Sequence, residues 1–291
     1  MFSFFASLFG YVLNFLYNLL NNYGLAIIVF TVLIKLIMLP LSIKQQKTMK
    51  KSAKLQEKMQ IIQFKYKNNP EKMNQEMMDL YKSENMSPFS GCLSTIMQFI
   101  LLLAIFYLVR SPLTYMKKVE QPVIDNYIAE MKEEGKTVSQ NYPEIDIIRE
   151  KGSQDEKVNI NMEFLGLDLS AIPQQNMKDY KVWIIPVLYI ISSFISIRMT
   201  TKMQERANKK KNDKLLMEAE SKENTEVKKE ENELDAVMQS NKMMSWMMPI
   251  LSISIALIAP LGLALYWLVN NILMIGERII LDKIIKDQEE E

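Results

Sequence analysis

The stretch Tyr23-GLAIIVFTVLIKLIMLPL-Ser42 is apolar over the length of a bilayer crossing, and it contains one charged residue, Lys35. A hydrocarbon core of roughly 30 Å takes about 20 helical residues to cross. A charge at the centre of such a helix costs roughly 2.5 to 3.5 kcal/mol on insertion scales, so an intramembrane lysine is first interpreted as functional. This stretch therefore predicts a membrane helix that carries a functional site.

Four more apolar stretches alternate with densely charged ones, so the mean hydropathy of −0.04 conceals a membrane protein. We predict an all-α integral membrane protein with five transmembrane helices, an N-terminal interfacial amphipathic helix and a cytoplasmic helical hairpin. The predicted segments are the interfacial helix 1–22, transmembrane helices 23–43, 88–110, 181–199, 242–259 and 260–281, the hairpin 44–87, an extracellular loop 111–180, a charged cytoplasmic loop 200–241 and a short acidic cytoplasmic tail 282–291.

Charge patterning predicts the orientation in the plasma membrane. Residues 44–82 contain ten lysines against four acids, while residues 111–180 contain thirteen acids against eight bases. Because cytoplasmic loops carry the excess of Lys and Arg, the hairpin is predicted in the cytoplasm, the N-terminus outside and the C-terminus inside. The outer segment, interrupted by four prolines, is predicted to be a small irregular cap. Residues 200–241 mix Lys and Glu and predict a solvated loop that builds no core.

The first 22 residues contain no Lys or Arg, so they do not form an ordinary signal peptide. At 100° per residue, large apolar residues gather on one helical face and Ser and Asn on the other, which predicts a helix lying in the membrane interface. An additional spanning helix remains open, because no charge forbids it.

The hairpin is predicted from the turn at Asn68, Asn69 and Pro70, where Asn69 can cap the second helix and Pro70 fits its first turn. Each arm carries an apolar stripe, and the methionines in and beside these stripes are Met59, Met73, Met77 and Met78. The stripes either pack on each other or offer a flexible, polarizable surface that accepts many apolar client sequences.

Composition argues against an enzyme. The chain has no His and one Cys, Cys92, and it contains no nucleophile-elbow motif and no glycine-rich phosphate loop. We therefore expect no catalytic residues, no metal site and no cofactor.

Polar residues in other apolar stretches define a candidate site around Lys35. We expect no acid in the predicted spans to lie deep enough to pair with Lys35, since Glu277 is near a cytoplasmic end beside Arg278. An unpaired cation needs water, so we expect a hydrated cavity there, although snorkelling to the headgroups remains an alternative. The other candidate residues of this cavity are Thr31, Gln98, Tyr266, Trp267, Asn270 and Asn271, each of which could instead serve helix packing or the interface.

From Tyr23 to Ile280 the order of parts resembles the YidC family of membrane protein insertases. The resemblance rests on YGLAIIVFTVLIKLIMLPL, the charged hairpin, SPFSGCLSTIMQF, FLGLDLS, MMPI and, most specifically, PLGLALYWLVNN. The lack of a large extra N-terminal domain is similar to the five-span form of Gram-positive bacteria.

The resemblance implies a groove, open to cytoplasm and lipid, with a positive residue in the first conserved span. That residue is usually Arg, and here the matching position is Lys35, which can lose its proton when buried. Two prolines common in the family are replaced by Ser94 and Ile100, and the basic C-terminal tail of some relatives is absent.

The function implied is insertion of nascent transmembrane segments into the bilayer, alone or beside the Sec translocon. The implied partners are nascent membrane proteins and membrane lipid, with the Sec translocon and the ribosome as further ones, and no sequence-specific nucleic-acid binding. Two other classes remain open: a small-solute or anion transporter that uses Lys35 as its substrate site, and a scaffold whose hairpin tethers a partner. A transporter would be expected to show broken helices and an inverted repeat, which the sequence does not display.

Overall fold

The computed structural model describes residues 2–66, 69–84, 90–219 and 253–290. Within them the elements are α1 (Phe2–Leu20), α2 (Tyr23–Lys65), α3 (Pro70–Ser83), α4 (Ser90–Arg110), α5 (Gln121–Glu133), α6 (Pro143–Lys151), β1 (Glu163–Phe164), β2 (Leu167–Asp168), α7 (Ile184–Ala219) and α8 (Leu261–Glu290), with a π-helical turn at Leu113–Lys117 and short 3-10 turns at Pro173–Gln175 and Tyr180–Trp183. The two short strands form an antiparallel hairpin.

The fold is an all-α membrane bundle, as the sequence predicts. Within the described residues, four helices are long and apolar enough to cross a membrane: Phe2–Leu20, Tyr23–Gln45, Tyr180–Met199 and Leu261–Leu281. Helix α4 covers the predicted second span and is apolar over Phe99–Arg110. Most of the predicted fourth span, 242–252, and the predicted loop from 220 to 241 lie outside the described residues; residues 253–258 are helical.

Residues 111–180 cover one end of the bundle, and we call this segment the cap. Contrary to the expected irregular segment, the cap contains α5, α6 and the β-hairpin around a buried apolar core. Its prolines do not interrupt these elements: Pro122, Pro143 and Pro173 each lie at the first or second position of a helix or 3-10 turn. Proline fits there because those positions need no intrahelical N–H donor.

The cap also supplies partners for the first N–H groups of two membrane helices. At the start of α2, Tyr23 N donates to Asn161 O at 3.0 Å. At the start of α8, Leu261 N donates to Ala171 O and Gly262 N to Leu169 O, both at 2.9 Å. These groups have no acceptor within their own helices, so the cap stabilises both helix starts and holds them at the same level.

Helix α1 packs along the turn that follows α4. Lys118 Nζ donates to Ser7 Oγ at 2.6 Å and lies 4.1 Å from the ring centre of Tyr11, while Lys117 lies over the ring of Tyr17. From residue 7 to residue 17 a helix advances about 15 Å, so α1 runs alongside this short turn for that whole distance. Large apolar side chains of α1, among them Phe4, Phe15 and Leu19, are exposed.

The predicted hairpin is present, but its first arm is continuous with the first membrane helix. Helix α2 passes through Pro40 and ends at Lys65, and α3 begins at Pro70. Asn69 caps α3 by accepting from Lys72 N at 3.1 Å, as the sequence predicts. The two arms are joined by an ion pair between Lys58 and Glu84 and by a hydrogen bond from Tyr66 to Glu76.

Glu144, at the start of α6, is one of two buried carboxyl groups on that helix. It accepts hydrogen bonds from Thr114 N at 3.0 Å and from Thr114 Oγ1 at 2.6 Å, which link α6 to the turn after α4. Burial raises the pKa of Glu144 from its usual 4.5, although these hydrogen bonds act in the opposite direction.

Helix α1 approaches the turn so closely that Gly10 has no room for a side chain. A Cβ atom at Gly10 would lie 1.8 Å from Tyr115 O, whereas one at Gly276 of α8 would meet nothing within 4 Å. We expect Gly10→Ala to lower the free energy of unfolding by about 1 to 3 kcal/mol because α1 must shift away. Gly276→Ala should stabilise the protein by up to about 1 kcal/mol, because Ala is the better helix former. Thermal unfolding in detergent, followed by circular dichroism, compares them; equal midpoints would contradict the packing.

The raised pKa of Glu144 predicts a pH dependence of stability. The unfolded chain loses this proton at a lower pH than the folded protein, so the free energy of unfolding should fall as pH rises through the interval between the two pKa values. Glu144→Gln should remove this decline. Glu134, whose pKa is lowered by its hydrogen bonds to Lys151 and Lys136, contributes stability that is lost as pH falls, so Glu134→Gln should change the slope in the opposite sense. Melting temperatures between pH 4 and pH 8 measure both effects; the same slope change in both variants would contradict the assignment.

Candidate functional site

A cavity of about 90 Å³ lies between α2, α4 and α8. One face of α2 forms its longest wall, from Thr31 to Gln45, which is about 21 Å of helix. Leu101 and Leu102 of α4 and Tyr266 and Asn270 of α8 complete it. The remaining lining residues, all from α2, are Ile34, Lys35, Met38 and Ser42. The cavity therefore has a mixed lining, with polar groups on α2 and α8 and apolar side chains on α2 and α4. Its volume suits several water molecules.

Lys35 is not an unpaired cation. Its Nζ donates to Glu277 Oε2 of α8 at 3.3 Å, and the two side chains are 22% and 13% exposed. The expectation that no acid reaches Lys35 is therefore wrong. Burial of a charge is tolerated where an opposite charge and a hydrogen bond compensate the lost hydration, and this pair supplies both.

The pair follows from the depth of the two residues. Helices α2 and α8 both start at the cap and run in the same direction. Lys35 lies about 18 Å along α2 from Tyr23, and Glu277 about 24 Å along α8 from Leu261. The difference of about 6 Å is what an extended lysine side chain can span. The similar depth of Lys35 and Glu277 is evident only when both residues are measured from the cap.

The structure brings four of the predicted site residues together: Thr31, Lys35, Tyr266 and Asn270 all line the cavity. The Thr31 hydroxyl donates to Ile27 O at 2.6 Å on its own helix, so it presents an already satisfied oxygen. Gln98 belongs to α4, but its side chain lies outside the described residues. The cavity therefore combines one ion pair with a small number of uncharged polar groups.

Trp267 is not brought into the cavity. Its ring stacks on Tyr189 of α7, with ring centres 6.0 Å apart, so it faces the neighbouring helix instead. Asn271, next to Asn270, also faces α7, where Nδ2 donates to Ser192 Oγ and Ser193 Oγ, each at 3.1 Å. Adjacent residues on a helix point about 100° apart, which is why these neighbours serve different surfaces.

Sequence reasoning missed two groups of polar residues. Glu277 is seven residues beyond Asn270, and seven residues return to nearly the same helical face, so this spacing could have indicated it. Ser192, Ser193 and Ser196 are buried on α7, and Ser196 Oγ lies 3.4 Å from Arg278 Nη1. These serines carry no sequence signal, because serine is common at helix contacts in membranes.

The hairpin methionines differ in exposure. Met59, Met73 and Met77 are partly buried, whereas Met78 is 50% exposed and lies on the outside of the hairpin. The two interpretations of the stripes therefore apply to different residues, with the partly buried side chains packing and Met78 open to a contact.

The cavity offers hydroxyl, amide and ammonium groups to a ligand, and the ammonium is bonded to the Glu277 carboxylate. Among the residues that the structure describes, no cluster of Cys, Asp and Glu is placed to hold a metal ion.

Comparison with known proteins relates most of the chain to one family. The model of the family described as 60Kd inner membrane protein matches residues 15–289.

Curated relatives match a shorter stretch. Proteins named membrane protein insertase YidC are 44% identical over 100 residues in Chloroherpeton thalassium and 45% identical over 100 residues in Buchnera aphidicola. A third, from Cupriavidus necator, is 45% identical over 101 residues. These stretches cover 34%, 34% and 35% of this chain and 17%, 19% and 18% of the respective relatives, so the matched part spans less than a fifth of each.

The cavity predicts which positions a water-soluble thiol reagent reaches in intact membranes. In a Cys92→Ser background, Asn270→Cys should be labelled because Asn270 lines the cavity. Ile272→Cys is its matched control: it lies at nearly the same depth on α8, is 54% exposed and points about 200° away, toward lipid. Thr31→Cys, 2% exposed, should react more slowly than Asn270→Cys. Equal labelling at 270 and 272 would contradict a water-filled cavity.

Proposed function

The chain belongs to the 60Kd inner membrane protein family, and from that membership we propose that this multi-pass bacterial membrane protein acts as an insertase for other membrane proteins. Its substrates would be nascent transmembrane segments with short polar flanks, and its products the same segments in lipid. The observation that carries the proposal is a cavity with a charged pair and polar groups inside a bundle of apolar helices.

The cavity would act as a hydrated groove. A polar segment that crosses a bilayer unaided must leave its backbone and side-chain groups without hydrogen-bond partners over roughly 30 Å. Water held along the wall from Thr31 to Gln45 would shorten that distance, while the apolar part of the client moves from the groove into lipid. No covalent step is needed, because a lower free-energy barrier for moving polar groups across the apolar core is enough to increase the rate of insertion.

Lys35 would be the group in the groove that recognises charge. Its side chain is 22% exposed, and at a partly buried position an interaction with a carboxylate is stronger than in water. Acidic residues in the translocated part of a client would be attracted to it. Tyr266, Asn270 and Gln98 would keep water in the groove. Trp267 would act indirectly, by holding α8 against α7.

The hairpin would meet clients first. The 50% exposed Met78 presents a soft apolar side chain that adapts to different sequences. Ten lysines in residues 44–82 favour a position near the anionic cytoplasmic surface of the membrane, where nascent chains emerge. The ribosome and the Sec translocon are the partners that such a position favours.

We further propose that the cap lies outside the membrane and the hairpin in the cytoplasm, following the positive-inside rule. Helix α1, which runs along the turn at Leu113–Lys117 and exposes an apolar face, would lie in the outer interface with its N-terminus outside. A thiol reagent that labels Lys82→Cys from outside intact cells would contradict this orientation.

Insertion of a purified single-span client into proteoliposomes tests the role of Lys35. For a client with an acidic translocated tail, Lys35→Gln should lower the initial rate roughly threefold to fivefold, the scale of one partly exposed ion pair. Lys35→Glu should lower it further because it repels the tail, and Lys35→Arg should retain most activity because it keeps the charge.

The matched control is the same client with Asn in place of each tail Asp. Its insertion should change little among the four proteins, because no carboxylate is recognised. Equal rates for the acidic client in all four proteins would exclude charge attraction. Insertion equal to that of protein-free liposomes would exclude the insertase itself.

A further inference from the structure

Glu277 stands on the face of α8 that lines the cavity. Tyr266 and Asn270 line the cavity, and Glu277 follows eleven and seven residues later, within about 20° of each around the helix. The Lys35 side chain lies between this residue and the cavity, since it both lines the cavity and bonds to Glu277 Oε2 at 3.3 Å. Any carboxylate that enters the cavity and approaches Lys35 therefore meets an ammonium that already has a partner.

The pair is not what holds α8 in place. The start of α8 is bonded to cap carbonyls at Leu169 and Ala171. Its other face is held to α7 by Asn271 and by the stacked ring of Trp267. Glu277 is therefore presented to Lys35 by contacts that do not depend on the ion pair, and the pair is free to exchange one carboxylate for another without loss of the helix packing.

We propose that Glu277 is a built-in competitor for client carboxylates and thereby sets the selectivity of the groove for acidic segments. This inference rests on the proposed insertase function. A client carboxylate displaces Glu277 from Lys35. Water molecules that leave the client carboxylate then hydrate the carboxylate of Glu277, so the Lys35 ammonium has a carboxylate partner throughout. A neutral segment leaves the pair intact. The client class selected is thus a segment whose carboxylate binds Lys35 better than Glu277 does.

The competition makes a directional prediction. With Glu277→Gln, Lys35 keeps its charge and loses its competitor, so the ratio of acidic-tail to neutral-tail insertion should rise roughly twofold to fivefold. Lys35→Gln should lower this ratio below that of the double variant Lys35→Gln/Glu277→Gln, because the single change leaves a lone carboxylate that repels the acidic tail.

Two variants test whether the effect comes from the carboxylate at position 277 itself. One changes the side-chain length at that position, and the other changes the net charge of the protein elsewhere. Glu277→Asp keeps the carboxylate and should leave the ratio near that of the wild type. Glu156→Gln removes an exposed carboxylate from the cap, away from the cavity and the hairpin, and should not change the ratio. An equal rise with Glu277→Asp or Glu156→Gln would overturn the proposal.

Peptide binding in detergent makes the test independent of insertion. A fluorescent peptide with the acidic tail should bind Glu277→Gln roughly twofold to fivefold more tightly than wild type, with thermal unfolding recorded to show that the variant is folded. Tighter binding supports the competitor even if no client is inserted, which would refute only the insertase proposal. Unchanged or weaker binding, with or without insertion, overturns the role of Glu277.

Discussion

The first N–H groups of each membrane helix must find acceptors, and the cap provides them for α2 and α8. Asn161, Leu169 and Ala171 place carbonyl oxygens against the starts of these helices. In lipid an unsatisfied backbone group costs several kcal/mol, so the two starts are held firmly to the cap. Both helices begin at the same surface and run in parallel. Residues that are equally far from the two helix starts therefore lie at the same depth.

The ion pair between Lys35 and Glu277 is a consequence of that alignment. Counted from the cap, the two residues differ in depth by about 6 Å, and the lysine side chain spans the difference. The cavity extends along α2 from Thr31 to Gln45, on both sides of this depth, and Tyr266 and Asn270 share the helical face of Glu277. A charge inside an apolar helix is thus compensated by its partner and still borders a cavity.

Helix α8 serves two surfaces with different chemistry. One face carries Tyr266, Asn270 and Glu277 toward the cavity, and the other carries Trp267 and Asn271 toward α7. Polar contacts to α7 are packing contacts, since the Ser192 and Ser193 hydroxyls accept from the Asn271 amide. Residues of similar type at adjacent positions of α8 therefore face different surfaces. The rotation of α8 about its axis determines which surface each residue faces.

Apolar length, charge spacing and the capping residues Asn69 and Pro70 suffice to predict the long apolar helices, the hairpin turn and the position of a charge, Lys35, inside one of these helices. These features depend on local chain properties and on the cost of moving charge into lipid. The same sequence patterns also select Thr31, Tyr266 and Asn270 as polar residues in apolar helices. They do not reveal the partner of Lys35, the surface that Trp267 occupies or the ordered cap. Those depend on which helices are neighbours, at what depth and at what rotation, and only long-range packing between α2, α7, α8 and the cap sets these quantities.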